Sequence, residues 1–356
     1  MKEREIKYDF LRAVAVIAIM MVHAIPAVSV NDKQWWFAAV MQPLLLSFVG
    51  IYFMLSGMFL LDSATGDIMQ FYKKRVKVIV IPFLFFSVLY YLYDVSRSLE
   101  VLSWWEYPLE FLRDFLSGTV PMADHMWFMY VIIALYLCTP FLARMMKAMN
   151  DQELTCFILL ILGVQTLTNY AGGLGIGLDQ ILTYMVFQGW LIYYVLGYAL
   201  KRLFQRKDFK WFAFAGILGL VLTLLQKRFT PGFVPGIHDL APTMIAMSAA
   251  VFLLFECWGN LRFKAARTVI TWLSRHSYSA YLAHYLILKA AAEPIVDQTM
   301  VRHFYVPRIV CTTLLTGVLS FAAAWLLDGT VIKWLQKFVK TDTGKSIKSI
   351  NVKWKE

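Results

Sequence analysis

Apolar residues in this chain fall in long, nearly unbroken stretches separated by short polar segments. They show neither the period-two alternation of half-buried strands nor the narrow apolar stripe of soluble helices. The stretches run over residues 9–29, 36–61, 78–95, 127–146, 154–170, 180–200, 210–226, 241–258, 277–292 and 309–329. An α-helix needs about 20 apolar residues to cross the hydrocarbon core of a bilayer, and only a helix or a closed barrel satisfies its backbone there. The expected fold class is therefore all-α: a polytopic membrane protein built as a bundle of about ten transmembrane helices. Residues 1–340 read as one transmembrane domain and 341–356 as a basic cytoplasmic tail.

Composition strengthens this reading. Of the 356 residues, 60% are apolar and 16% charged, against about 25% charged in a soluble domain. A net charge of +11 would suggest nucleic acid in a soluble protein, but the placement of the cations gives it another meaning. With the ten stretches drawn as spans, 25 of the 34 Lys and Arg fall on the side of the N-terminus, counting Arg144 and Lys210 at the span ends that face it, and 7 on the other, with Arg12 and Lys289 further inside spans. Such asymmetry puts both termini in the cytoplasm of a multi-pass protein of the cell inner (plasma) membrane, with the lipid bilayer as its partner and no nucleic acid. Cys138, Cys156, Cys257 and Cys311 lie in or beside separate apolar stretches with no metal-ligand spacing, so no metal site is expected. The first stretch carries Arg12 and lacks a convincing cleavage site, which makes it a span rather than a removed leader. The longest outer connection, 96–125, holds Trp104, Trp105, Tyr107 and an amphipathic stretch over 109–116, suited to the membrane interface.

Ionisable groups inside a membrane are costly, so each one is a candidate for function. Asp9, Arg12 and His23 stand in the first span, three and eleven residues apart. Eleven helical steps return to within about 20° of the starting direction, and they place His23 about 16 Å deeper than Arg12. One helix face thus presents a cation near the cytoplasmic mouth and a proton acceptor in the outer half. Asp9, as an i,i+3 neighbour, orients Arg12. The pairing suits transfer from a long anionic donor whose phosphates stay near the arginine while its reactive end reaches the histidine, where imidazole takes the proton of an acceptor hydroxyl. The same residues in structural roles would be a snorkelling arginine and a histidine bonded between helices.

Tyr8-Asp9-Phe10-Leu11-Arg12-Ala13 followed by His23 resembles the opening pattern of the membrane-bound acyltransferase-3 family, which acylates bacterial surface glycans. Further similarities follow in order: Phe53-Met54-Leu55-Ser56-Gly57, the basic run before Pro82, His125-Met126-Trp127-Phe128-Met129-Tyr130 with Tyr136 and Pro140, Leu196-Gly197-Tyr198, and Ser277-Tyr278 with Tyr281 and His284. The resemblance implies an O-acyltransferase that moves an acyl group from acetyl-CoA, or another acyl-CoA, to a hydroxyl of a cell-surface glycan or lipid-linked saccharide. His23 is then the general base, Asp9 joins the catalytic set as the group that orients Arg12, and Arg12, Lys74, Arg75 and Lys77 hold the donor. His125, Trp127 and Tyr130, at the outer start of the fourth span, are placed either to bind the acceptor or to anchor the helix at the interface. Where family members carry a second arginine three residues after the first at the third span, this chain has Val78 after Arg75, Val76 and Lys77. His284 reads as structural, and Glu256 as a group facing the cytoplasmic surface. The competing class is a transporter or flippase in which Arg12 and His23 line a solute path. The oligomeric state is not legible in the sequence.

Overall fold

Long apolar stretches with no hydrogen-bond partners in lipid can only coil, and in the computed structural model every described element is helical. The structure describes residues 5–64, 66–98, 103–175, 187–230 and 240–339. The basic tail expected at 341–356 and the first part of the sixth expected span lie outside the described residues.

The helices are α1 (Ile6–Ala24), α2 (Trp35–Ser63), α3 (Ile68–Arg75), α4 (Ile81–Val95), α5 (Glu106–Ser117), α6 (Trp127–Ala148) and α7 (Asp151–Leu174). They continue with α8 (Leu191–Leu203), α9 (Phe209–Phe229), α10 (Pro242–Trp258), α11 (Lys264–Ile287), α12 (Glu293–Asp297), α13 (Tyr305–Gly329) and α14 (Val331–Leu335). A π-helical turn, Val76–Val80, joins α3 to α4 in one rod, and a second, Leu288–Ala292, joins α11 to α12.

The expected count of about ten spans is not reproduced by length and apolarity. Among the described residues six helical segments are long and apolar enough to cross a membrane, starting at Trp35, Ile68, Asp124, Asp151, Arg206 and Tyr305; Pro242–Trp258 is apolar but shorter. At the other expected positions, α1 carries Lys7, Asp9 and Arg12, α11 is polar along one face, and α8 is short. The physical reason is burial. α1 packs against α2, α11 and α13, and α8 against α2, so their polar groups find protein partners instead of lipid. The ninth expected span, 277–292, is also longer than drawn, because α11 begins at Lys264.

α2 is the central strut, packed on α1, α6, α8 and α10. Its crossing with α8 is closed by two glycines. A Cβ on Gly57 would stand 1.7 Å from the Tyr194 carbonyl oxygen, and one on Gly197 would stand 2.0 Å from that of Met54. Small residues of this kind let membrane helices approach backbone to backbone. Ser248 Oγ, on α10, donates to the Ser47 carbonyl of α2 (2.7 Å).

At the N-terminal end, Glu256 is not surface-facing as expected. It is largely buried and accepts from Lys7 Nζ (2.8 Å), Tyr8 Oη (2.7 Å) and Lys201 Nζ (3.2 Å), tying α10 to α1 and α8. α5 is amphipathic as expected: Phe111 and Phe115 pack on the core while Leu109, Leu112 and Leu116 are exposed, and Tyr91 Oη anchors it by donating to Glu110 (2.5 Å).

Candidate active site

Two cavities lie one above the other along α1. The first, about 300 Å³, is in the half of the bundle nearest the N-terminus and is lined by Arg12, Arg75, Ser56, Tyr136 and Ser274. The second, about 70 Å³, is deeper and lined by His23, His125, Trp127, Val49, Ile19 and Tyr281. Tyr52, Phe128 and Tyr278 border both. These three rings, one each from α2, α6 and α11, are the wall the cavities share.

Arg12 is fixed rather than snorkelling. Its Nη1 donates to Ser274 Oγ (2.9 Å) and to Asp9 Oδ1 (3.3 Å), while Ser274 Oγ donates to the same Asp9 oxygen (2.6 Å). Asp9 is buried and Arg12 less so, which leaves the guanidinium a side open to the first cavity. Asp9 therefore orients Arg12, as the i,i+3 spacing suggests, and stands far from His23: fourteen residues of helix separate them, about 21 Å of rise. Tyr52 Oη donates to the Arg12 carbonyl (3.2 Å), linking the arginine's helix to the shared wall.

Of the basic run, Arg75 alone lines the cavity. Its guanidinium lies over the rings of Phe71 (5.2 Å) and Tyr136 (5.6 Å), and its Nε is buried with no hydrogen-bond partner. Lys74 is exposed and Lys77 half-buried, and neither lines either cavity. The π-turn after Arg75 has its own ties: the Lys77 carbonyl accepts from Gln336 Nε2 (3.0 Å) and the Ile79 carbonyl from Tyr278 Oη (2.8 Å). Such turns recur at functional sites because they re-aim the side chains around them.

Around His23 the structure gathers aromatic and imidazole rings from four elements. Ring centroids lie 5.2 Å away for His284, 5.2 Å for Tyr285 and 6.3 Å for His125. Tyr281 Oη donates to the His125 carbonyl (2.6 Å), pinning the start of α6 to α11. Tyr90, on α4, accepts from Leu286 N–H (2.8 Å) and donates to the Leu282 carbonyl (3.1 Å), bridging the groups that an α-helix pairs directly. The Tyr90 hydroxyl thus ties α4 to α11 beside His284 and Tyr285, just before the π-turn at Leu288. Lys289 extends from that turn, over the Tyr285 ring at 5.7 Å, and is paired with both oxygens of Glu293 (2.9 Å each).

Trp127 stands in the His23 cavity beside His125, and its ring packs on Trp190 (4.8 Å). Tyr130 does not: it donates to the Phe115 carbonyl of α5 (2.5 Å), with its ring edge-on to Phe83, and lines neither cavity. His284, read above as structural, sits against His23 and His125. Sequence reasoning did not single out Tyr52, Ser274, Tyr285 or Tyr90. The signal for part of this set was present as a polar stripe in an apolar helix, Ser274, Ser277, Tyr278, Tyr281, His284 and Tyr285, at the three- and four-residue spacing of one helix face.

The described residues contain no cluster of three or more His, Cys, Asp or Glu able to hold a metal ion. Searches of curated proteins and of solved structures returned no match. The profile of the acyltransferase-3 family, described as an acyltransferase domain, matches residues 5–328, which take in both cavities and all the helices that build them. That match gives the transport reading no support, and it means that the chain belongs to the acyltransferase-3 family and is a multi-pass membrane acyltransferase.

Proposed function

We propose that this acyltransferase transfers an acyl group, most simply acetyl, from cytoplasmic acyl-CoA to a hydroxyl of an outward-facing glycan or lipid-linked saccharide. In this reading the chain crosses the inner membrane about ten times with both termini in the cytoplasm, as the distribution of Lys and Arg favours. The observation that carries it is the pair of cavities with one aromatic wall in common: two arginines on one side, and an accessible histidine on the other.

The division of labour follows from the chemistry of each end. Arg12 and Arg75 supply planar, permanently charged donors suited to phosphate, with Arg12 held by Asp9 and Ser274. The donor's arm passes between Tyr52, Phe128 and Tyr278 to bring the thioester to His23. His23 takes the proton of the acceptor hydroxyl as that oxygen bonds to the thioester carbonyl carbon. The carbon–sulfur bond then breaks, and the departing thiolate recovers the proton from His23. His125 and Trp127, at the far side of the same cavity, face the acceptor. The cavity at His23, about 70 Å³ against about 300 Å³ for the one at Arg12, suits a small acyl group at the reacting end.

The test is transfer of labelled acetyl from acetyl-CoA to a cell-envelope glycan extract by purified protein, with His23→Ala alongside. Label in the glycan fraction that depends on His23 is the expected result. Equal labelling by His23→Ala overturns the role of His23, and no transfer from any acyl-CoA overturns the donor.

A further inference from the structure

His284 is fully buried on α11 and takes no part in the reading above. Its Nδ1 lies 2.5 Å from the Tyr281 carbonyl oxygen. A carbonyl only accepts hydrogen bonds, so Nδ1 carries the hydrogen, and in a neutral imidazole Nε2 is then a bare lone pair. That Nε2 is buried and has no hydrogen-bond partner. The rings of His23 and His125 lie against it at 5.2 Å and 4.8 Å between centroids. His125 has both of its nitrogens buried and unpartnered as well. The deeper half of the bundle thus holds a fixed acceptor pointed at no donor of its own, one ring away from the histidine that reaches the cavity.

An imidazole used as a base needs a neighbour that fixes which nitrogen carries its hydrogen, a role often filled by a carboxylate. Asp9 cannot fill it from about 21 Å along the helix, and among the described residues no carboxylate hydrogen-bonds His23. We propose that His284 is the positioning residue of His23. Its Nε2 accepts the N–H of one His23 nitrogen, which leaves the other nitrogen as the lone pair facing the cavity, and it steadies the imidazolium while His23 holds the acceptor's proton. Edge atoms of rings whose centroids are 5.2 Å apart come within hydrogen-bond reach by a modest change of ring orientation, and such bonds commonly tighten when substrate is present. No atom is gained or lost beyond the transfer already described. The inference rests on His23 being the base.

Two amides separate a positioning role from a packing one. His284→Asn puts its amide where Nδ1 stands, so it keeps the bond to Tyr281 and loses the acceptor toward His23. His284→Gln reaches the place of Nε2 and presents an oxygen there. If His284 positions His23, the Gln variant keeps kcat within about 10-fold and the Asn variant loses about 100-fold or more, with KM for acetyl-CoA unchanged in both. If its role is only the Tyr281 bond, the order reverses, and that result overturns the proposal. A measurement on the unaltered protein is independent of how the variants fold: in the nitrogen NMR spectrum of histidine-labelled protein, assigned with His23→Ala, neutral His23 shows a single tautomer. A mixture of both tautomers overturns the proposal. An active His23→Ala would instead remove the base reading itself, whereas an inactive His23→Ala beside a fully active His284→Asn removes only the role of His284.

Discussion

Replacing Gly57 by alanine adds one methyl group at the tightest crossing in the bundle. The new Cβ would lie 1.7 Å from the Tyr194 carbonyl oxygen, where real Cβ atoms essentially never come closer than 3.0 Å, so α2 and α8 must separate by about 1.3 Å locally. The obstacle is backbone, which cannot swing away as a side-chain end can. Overpacking of well-packed interiors costs about 1–3 kcal/mol, and a contact this short belongs at or above the upper end. A cost of about 3 kcal/mol lowers the folded-to-unfolded ratio by roughly 100-fold. The same movement displaces Tyr52, five residues earlier on α2, from the wall it forms with Phe128 and Tyr278. A shift of about 1 Å in a reacting geometry can cost about 100-fold in rate. The assay is thermal unfolding in detergent followed by size exclusion, with acetyl transfer measured on the fraction that remains monodisperse. The expected result is a lower midpoint together with a depressed kcat. Gly57→Ala with wild-type midpoint and rate would refute the close crossing and its link to the wall. Gly197→Ala, blocked at 2.0 Å by the Met54 carbonyl, should behave alike.

Arg12→Lys keeps the charge but loses the planar fork, and should raise KM for acetyl-CoA about tenfold with a smaller change in kcat; unchanged donor saturation would assign Arg12 a structural role. Phe128→Ala removes one ring of the shared wall and enlarges the small cavity, so the kcat/KM ratio of butyryl-CoA to acetyl-CoA should rise about 100-fold, about tenfold for each of the two methylenes admitted. An unaltered ratio would mean that Phe128 does not limit chain length. Glu256→Gln removes the charged partner that Lys7 and Lys201 share, leaving Lys7 with Glu5 alone at 2.9 Å, and should destabilise by about 1–2 kcal/mol, less than breaking a fully buried pair because Glu5 and Lys201 are partly exposed. Unfolding in detergent at neutral pH measures it, and a midpoint equal to that of the native protein would count against the tie.

Much of this architecture was legible in the chain itself. A lipid-facing helix has no partner but hydrocarbon, so it must be apolar along its whole length, and six segments announce themselves that way. Arg12 and His23 were legible because one regular helix fixes their face and depth, whatever surrounds it. Lys74 and Arg75 are neighbours in sequence but about 100° apart around a helix, so which of them meets the cavity depended on how α3 sits. Tyr130 shares the Trp127 stretch yet turns to α5, because the Phe115 carbonyl offers its hydroxyl a partner there. The role of Ser274 depends on a partner 262 residues away, and the meeting of His23, His125 and His284 on three helices is a product of packing. Local periodicity determined that this protein is a helical membrane bundle with a cation and an imidazole on one face of its first helix. Tertiary structure alone decided which distant polar side chains stand against them, because helices that bury polar groups choose their neighbours by mutual satisfaction, and that pairing leaves no trace in either segment taken singly.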